Sequence, residues 1–121
     1  MIKKTITYSD YNGKEHTEDF YFNLSKAELM EKEMGVQGGF VEMLNRIIKA
    51  EDAPSIIKEF KILILEAYGE KSVDGKRFIK IAPDGHRLAD DFAQTEAYSN
   101  LFMELGTNSD AASEFVNGII N

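Results

Sequence analysis

The spacing of the apolar residues changes at Ser25, and this change constrains the fold more than any other feature of the sequence. Before Ser25, large apolar residues recur at every second position in two short stretches, which is the pattern of β-strands. Asn12-Gly13 lies between the stretches and favours the positive φ angles of a type I′ turn. Residues 1–23 are therefore predicted to form a β-hairpin. An isolated hairpin is marginal in water, so helices or a strand from another subunit must cover one face.

After Ser25 the apolar residues recur every three or four positions, which is the period of amphipathic helices. Ser25 and Glu28 have the spacing of a capping box, so a first helix should begin there and end near Gly35. Five or six helices are predicted in residues 25–121. Their apolar residues, in chain order, are Leu29 and Met30; Phe40, Met43, Leu44, Ile47 and Ile48; Ile56, Phe60, Leu63, Ile64 and Ala67; Leu88 and Phe92; Tyr98, Leu101, Phe102 and Leu105; and Ala112, Phe115, Val116 and Ile119.

The third of these helices is apolar almost all round, because Ile57, Ile62, Leu65 and Tyr68 widen its stripe. Such a helix is either central to the core or covered by a partner. The apolar end of the chain allows the same two interpretations, since it either packs on the core or is held out for a partner.

A polar connector is predicted at residues 69–82, and Asp74-Gly75 within it indicates a turn, so this segment is either a short ribbon or a loop. Pro54 is predicted to open the third helix, at a first-turn position that needs no amide hydrogen, and Pro83 is predicted to open the fourth. The whole chain, 1–121, is predicted to be one α+β domain, in which an N-terminal hairpin precedes a mostly α-helical bundle.

The charge of the chain lies mainly in its C-terminal third. The formal net charge is −7, and residues 84–121 hold seven acidic residues and one basic residue, Arg87. An acidic surface repels phosphate, so binding to nucleic acid is not expected. The longest apolar run is Ile62–Leu65 and the N-terminus has no apolar signal segment, so the protein is expected to stay in the cytoplasm and not to bind a membrane.

No group of residues predicts catalysis, a metal or a cofactor. The chain has no cysteine, and His16 and His86 lack the spacing of metal ligands. Residues 35–39 are glycine-rich and precede a helix, as phosphate-binding loops do, but they lack the Gly-Lys-Ser/Thr ending and a preceding strand. We interpret them as a hinge between helices. Protein binding without enzymatic activity is the function class that is left.

Three stretches resemble one known family. They are residues 2–8 with 17–29, residues 68–72 with 74–80, and residues 92–99 with 101–105 and 115–120. In the same order, and over nearly the whole chain, they are similar to the tail assembly chaperones of siphophages and prophages of Gram-positive bacteria. The departure is at residues 81–86, where this family more often goes straight into the fourth helix.

The resemblance implies a chaperone that binds and solubilises the tape measure protein and helps to recruit the major tail tube protein, the latter through a longer frameshifted form. It also implies a protein of the host cytoplasm that is absent from the mature virion. Self-association is left open. The residues predicted to form the apolar surface for the partner are Leu63, Phe102, Phe115, Val116, Ile119 and Ile120.

Two other functions stay open at this point. The first is a structural tail or head component that is retained in the virion. The second is a small acidic regulator that blocks a nucleic-acid-binding protein of the host, although residues 1–83 are nearly neutral.

Overall fold

The computed structural model describes residues 1–120, which form a four-stranded antiparallel sheet and six helices. The strands are β1 (Ile2–Ser9), β2 (Glu15–Phe22), β3 (Tyr68–Lys71) and β4 (Phe78–Ile79), in the spatial order β1-β2-β3-β4. The helices are α1 (Lys26–Met34), α2 (Phe40–Lys49), α3 (Ala53–Ala67), α4 (Leu88–Phe92), α5 (Glu96–Thr107) and α6 (Ser109–Ile120). The predicted α+β fold, with a hairpin before five or six helices, is confirmed.

The hairpin of β1 and β2 is where the sequence predicts it, but the predicted turn type is wrong. Of the Asn12-Gly13 pair only Gly13 has a positive φ, at 83°, whereas a type I′ turn requires two such residues. The side chain of Asp10 explains the difference, because its Oδ1 accepts hydrogen bonds from the backbone N–H groups of Asn12 and Lys14, both at 2.9 Å. These bonds stabilise a longer loop.

One face of the hairpin packs on α5 and α6, and its other face is polar and exposed. Ile6 and Phe22 are buried on the covered face, whereas Lys3, Thr5 and Thr7 are exposed on the outer one. Polar contacts fix β1 on α5: Asn100 Nδ2 donates to the carbonyl oxygen of Thr7 at 3.1 Å, and Lys4 Nζ donates to Glu104 Oε1 at 2.8 Å.

Aromatic rings join the sheet to the helices. The ring of Phe22 is fully buried, and its centroid lies 5.7 Å from Tyr68, 5.8 Å from Phe92 and 5.3 Å from Phe115. Tyr68 and Phe92 stack in parallel with their centroids 4.3 Å apart. Elements β2, β3, α4 and α6 therefore meet in one cluster, which we call the aromatic cluster.

Most helix predictions are confirmed. Glu28 N–H donates to Ser25 Oγ at 3.1 Å, and Ser25 N–H donates to Glu28 Oε1 at 2.9 Å, which is the predicted capping box. Pro54 is in the first turn of α3, whose N-cap is Asp52. The buried residues of α2, α3, α5 and α6 all belong to the predicted stripes except Ala97; they are Phe40, Leu44, Ile48, Ile56, Phe60, Leu63, Ile64, Ala67, Ala97, Leu101, Leu105, Ala112, Phe115, Val116 and Ile119.

The predicted start of the fourth helix is wrong. Helix α4 begins at Leu88, and Pro83 lies in a turn that Gly85 N–H closes by donating to the carbonyl oxygen of Ala82 at 2.9 Å. The turn is part of a short ribbon, since Ile81 forms a β-bridge with Arg87. A proline's fixed φ suits a turn as well as a first helical position. Of the two interpretations of residues 69–82, the structure has the ribbon, formed by β3 and β4.

Two helical glycines allow a test of how β1 is held on α6. Gly106→Ala should stabilise the fold by about 0.5 kcal/mol, because alanine favours a helix and no neighbouring element comes within 4 Å of its new Cβ. Gly118→Ala should instead destabilise the fold, because its Cβ would lie 2.7 Å from Ile2 Cδ1 and 2.8 Å from Ile2 Cβ. Urea unfolding measures both, and equal stabilisation by the two substitutions would contradict the packing of β1 on α6.

Candidate partner-binding groove

A groove of about 450 Å³ lies between α1, the C-terminal end of α3 and residues 80–89. We call it the α1–α3 groove. Its apolar lining consists of Leu24, Leu65, Tyr68, Ile81 and Ala89. Its charged lining consists of Glu28, Glu31, Lys32, Glu66, Lys80 and Arg87.

Ion pairs, more than buried apolar side chains, hold α1 beside this groove. None of the residues of α1 is buried. Lys80 Nζ donates to both carboxylate oxygens of Glu28, at 2.9 and 2.8 Å, and Lys32 forms an ion pair with Glu66 on α3. Burial raises the pKa of the Glu28 carboxyl, but the hydrogen bonds from Lys80 and Ser25 outweigh burial and leave that pKa below its ordinary value. Glu28 is therefore charged at neutral pH.

Two further charges at the groove have no such partner. Glu31 on α1 and Arg87 just before α4 are both exposed. Within residues 1–120, neither side chain makes an ion pair or a side-chain hydrogen bond. They belong to different walls of the groove and carry opposite charges.

The Tyr68 hydroxyl at the groove is held in its neutral form. Burial, together with the nearby carboxylates of Glu70, Asp91 and Glu18, raises the pKa of Tyr68 to about 12. The Tyr68 hydroxyl therefore stays protonated at neutral pH. Within residues 1–120 no three histidine, aspartate or glutamate side chains are placed to hold a metal ion.

Most residues predicted to bind a partner lie in the core. Leu63, Phe115, Val116 and Ile119 are at most 1% exposed, and Phe102 and Ile120 are partly buried. The apolar end of the chain thus packs on the core, as far as Ile120. A partner can reach the four fully buried side chains only if the core opens. The partner-binding role of all six residues stays a prediction.

Other apolar side chains, outside these six residues, are exposed instead. Five lie on helices and one, Ile81, lies in the ribbon before α4, each more than 40% exposed: Met30, Met34, Ile57, Ile62, Met103 and Ile81. The widened stripe of the third helix was the available signal, since α3 buries one face and leaves Ile57 and Ile62 outside. Ile81 lines the α1–α3 groove itself.

The glycine-rich segment 35–39 connects α1 to α2, and its anion-binding position is filled by the chain. The N-terminus of a helix offers free N–H groups to an anion. Here the Glu33 carboxylate accepts from Phe40 N–H at 3.1 Å and from Val41 N–H at 2.9 Å. The place that a phosphate would take is therefore filled by an internal cap, which α1 supplies to α2.

Each histidine forms hydrogen bonds with carboxylates at a local turn. His16 Nε2 lies 2.7 Å from Asp10 Oδ2, and the His16 ring stacks on Tyr8 with centroids 5.4 Å apart. His86 lies between two carboxylates, with its Nε2 2.7 Å from Asp91 Oδ2 and its Nδ1 2.5 Å from Asp84 Oδ1. These hydrogen bonds raise the pKa of His86 above its ordinary value. The arrangement fixes the turn before α4.

Comparison with known proteins points to a protein family. The model of a family described as phage tail assembly chaperone matches residues 1–121. No curated protein and no solved structure matches the chain significantly. In the part of the chain that the structure describes, no helix has the length and apolar character needed to cross a membrane.

Removal of the internal cap should destabilise the fold. Glu33→Gln loses the negative charge at the N-terminus of α2 and one of its two strong acceptors, so the free energy of unfolding should fall by about 1 kcal/mol. Glu114→Gln is the control, because Glu114 is exposed on α6 and caps no helix, and it should change stability by less than about 0.5 kcal/mol. Equal effects in urea unfolding would show that Glu33 is not a cap.

His86 should titrate above its ordinary pKa of 6.5 in the folded protein, and Asp91→Asn should lower that pKa. Because folding favours the protonated ring, the interaction stabilises the fold below pH 6.5, and this stabilisation is lost as pH rises through the raised pKa. NMR titration of the ring protons measures the pKa, and Asp110→Asn is the control. A pKa that Asp91→Asn leaves unchanged would contradict the pairing.

Proposed function

The chain belongs to the phage tail assembly chaperone family, and we propose from this that it binds the tape measure protein of its phage and keeps it soluble during tail assembly. The family points to a non-enzymatic role in assembly. The client, the recruitment of the tail tube protein and the fate of the chaperone are our proposals.

The observation that carries the proposal is the apolar surface that the folded chain leaves uncovered. The family implies a client, the tape measure protein, that is long, helical and apolar, so that its helices need another surface to cover them before assembly. The α1–α3 groove and the exposed side chains of Ile57 and Ile62 on α3 offer such cover. Amphipathic helices are commonly recognised in this way, with their apolar face in a groove.

Methionines suit a chaperone that must cover many different segments of one client. Met30, Met34 and Met103 are all more than half exposed on helices. Their side chains are unbranched and polarizable, so they adapt to apolar surfaces of different shape. This favours broad recognition over a fit to one sequence.

Many weak contacts would make the binding both strong and reversible. Several copies along one tape measure protein gain avidity from their number, while each copy can be displaced alone. We propose that tail tube subunits displace the chaperone in the host cytoplasm, that a longer frameshifted form recruits those subunits, and that the mature virion lacks the chaperone.

Co-expression with the tape measure protein of the same phage tests this function. The tape measure protein should move from the insoluble to the soluble fraction and co-purify with several copies of the chain per molecule. An unrelated acidic protein of similar size is the control for non-specific solubilisation. If the tape measure protein stays insoluble and unbound, with the longer form also supplied, the function is wrong. Detection of the chain in purified virions would favour a structural component instead.

A further inference from the structure

We propose that the α1–α3 groove takes an amphipathic helix of the tape measure protein, whose apolar stripe has a basic residue on one flank and an acidic residue on the other. The basic residue faces Glu31 and the acidic residue faces Arg87. This inference rests on the proposed function, and it adds the chemistry of the bound segment and its orientation in the groove.

Between its internal ion pairs, the lining of the groove favours apolar side chains. At this groove Glu28 is paired with Lys80, and Glu66 is paired with Lys32. What the groove offers is the carbon surface of the apolar residues between these pairs, Leu24, Leu65, Tyr68, Ile81 and Ala89.

The apolar surface also continues along α3, which favours an extended partner. Ile62 precedes Leu65 by three positions, so the two side chains are neighbours on the same face of the helix. Ile62 is exposed, and Leu65 lines the groove. At the other side of the groove Ile81 is 53% exposed. A helix that lies in the groove covers surface on α3 and beside β4 together.

The unpaired charged residues of the groove determine which charges the bound helix carries and in which direction it lies. Two charged residues of the groove have no ion pair within residues 1–120. Glu31 lies on the wall that α1 forms, and Arg87 lies on the wall that residues 80–89 form. A helix seated between them is favoured when its own charges complement both. Reversal of the helix direction exchanges its flanks and places like charges together, which electrostatic complementarity disfavours.

The apolar part of the proposal is tested with one pair of matched variants. Ile81→Asp places a charge in the groove, and Val73→Asp places the same charge on the turn between β3 and β4, outside it. Both side chains are exposed, so both variants should fold, which circular dichroism and thermal unfolding check. In pull-down titrations with co-expressed tape measure protein, Ile81→Asp should weaken binding at least about tenfold, and Val73→Asp should leave it unchanged.

The charge part is tested with two opposite reversals. Glu31→Lys raises the net charge by two, and Arg87→Glu lowers it by two. If only the overall charge governs binding, one reversal strengthens it and the other weakens it. If the helix binds in the groove, both reversals should weaken binding by about threefold or more. This loss of affinity should be smaller in high salt.

The outcomes separate the groove from the function. If wild-type chain binds the tape measure protein and Ile81→Asp binds equally well, the groove is not the site, although the proposed function stands. If the wild-type chain does not bind, both are wrong. If the wild-type chain is a dimer that Ile81→Asp converts to a monomer, a second copy occupies the groove and the proposal is overturned.

Discussion

The contact of Phe22 with Tyr68, Phe92 and Phe115 is the interaction on which the other features of the structure depend. Helix α4 has only five residues, too few to be stable without tertiary packing. Its position is set by Phe92, which stacks on Tyr68. Because residues 80–89 run directly into α4, the aromatic cluster also positions one wall of the α1–α3 groove. The sheet, the short helix and the groove are thus parts of one packing arrangement.

The two walls of the groove are held by different forces. Aromatic burial fixes the wall that precedes α4, whereas α1 is attached mainly by the Glu28–Lys80 and Lys32–Glu66 pairs and by the Glu33 cap. Partly exposed ion pairs contribute little stability each. The apolar lining between the walls is accessible, whereas the interior of α2, α3, α5 and α6 is closed by its own side chains.

The sequence allowed prediction of the features that depend on near neighbours in the chain. The capping box at Ser25 and the apolar stripes are local patterns, and they located the hairpin and most helices. Pro83 misled because its geometry suits both a helix start and a turn, and the Ile81–Arg87 bridge that decides between them is not a local pattern. The groove depends on Glu28 and Lys80, which are 52 positions apart. Apolar character alone also cannot distinguish Phe115, which is buried, from Met34, which is 82% exposed.

The absence of buried residues in α1 has a consequence for local stability. A segment with few buried contacts opens at a small fraction of the free energy that global unfolding requires. We therefore expect helix α1 to detach and return while the aromatic cluster and the other helices stay folded. A site with one fixed wall and one wall of low local stability can release its occupant by a local opening. For a protein proposed to hand its client to another subunit, such an opening provides a fast dissociation route that leaves the fold intact.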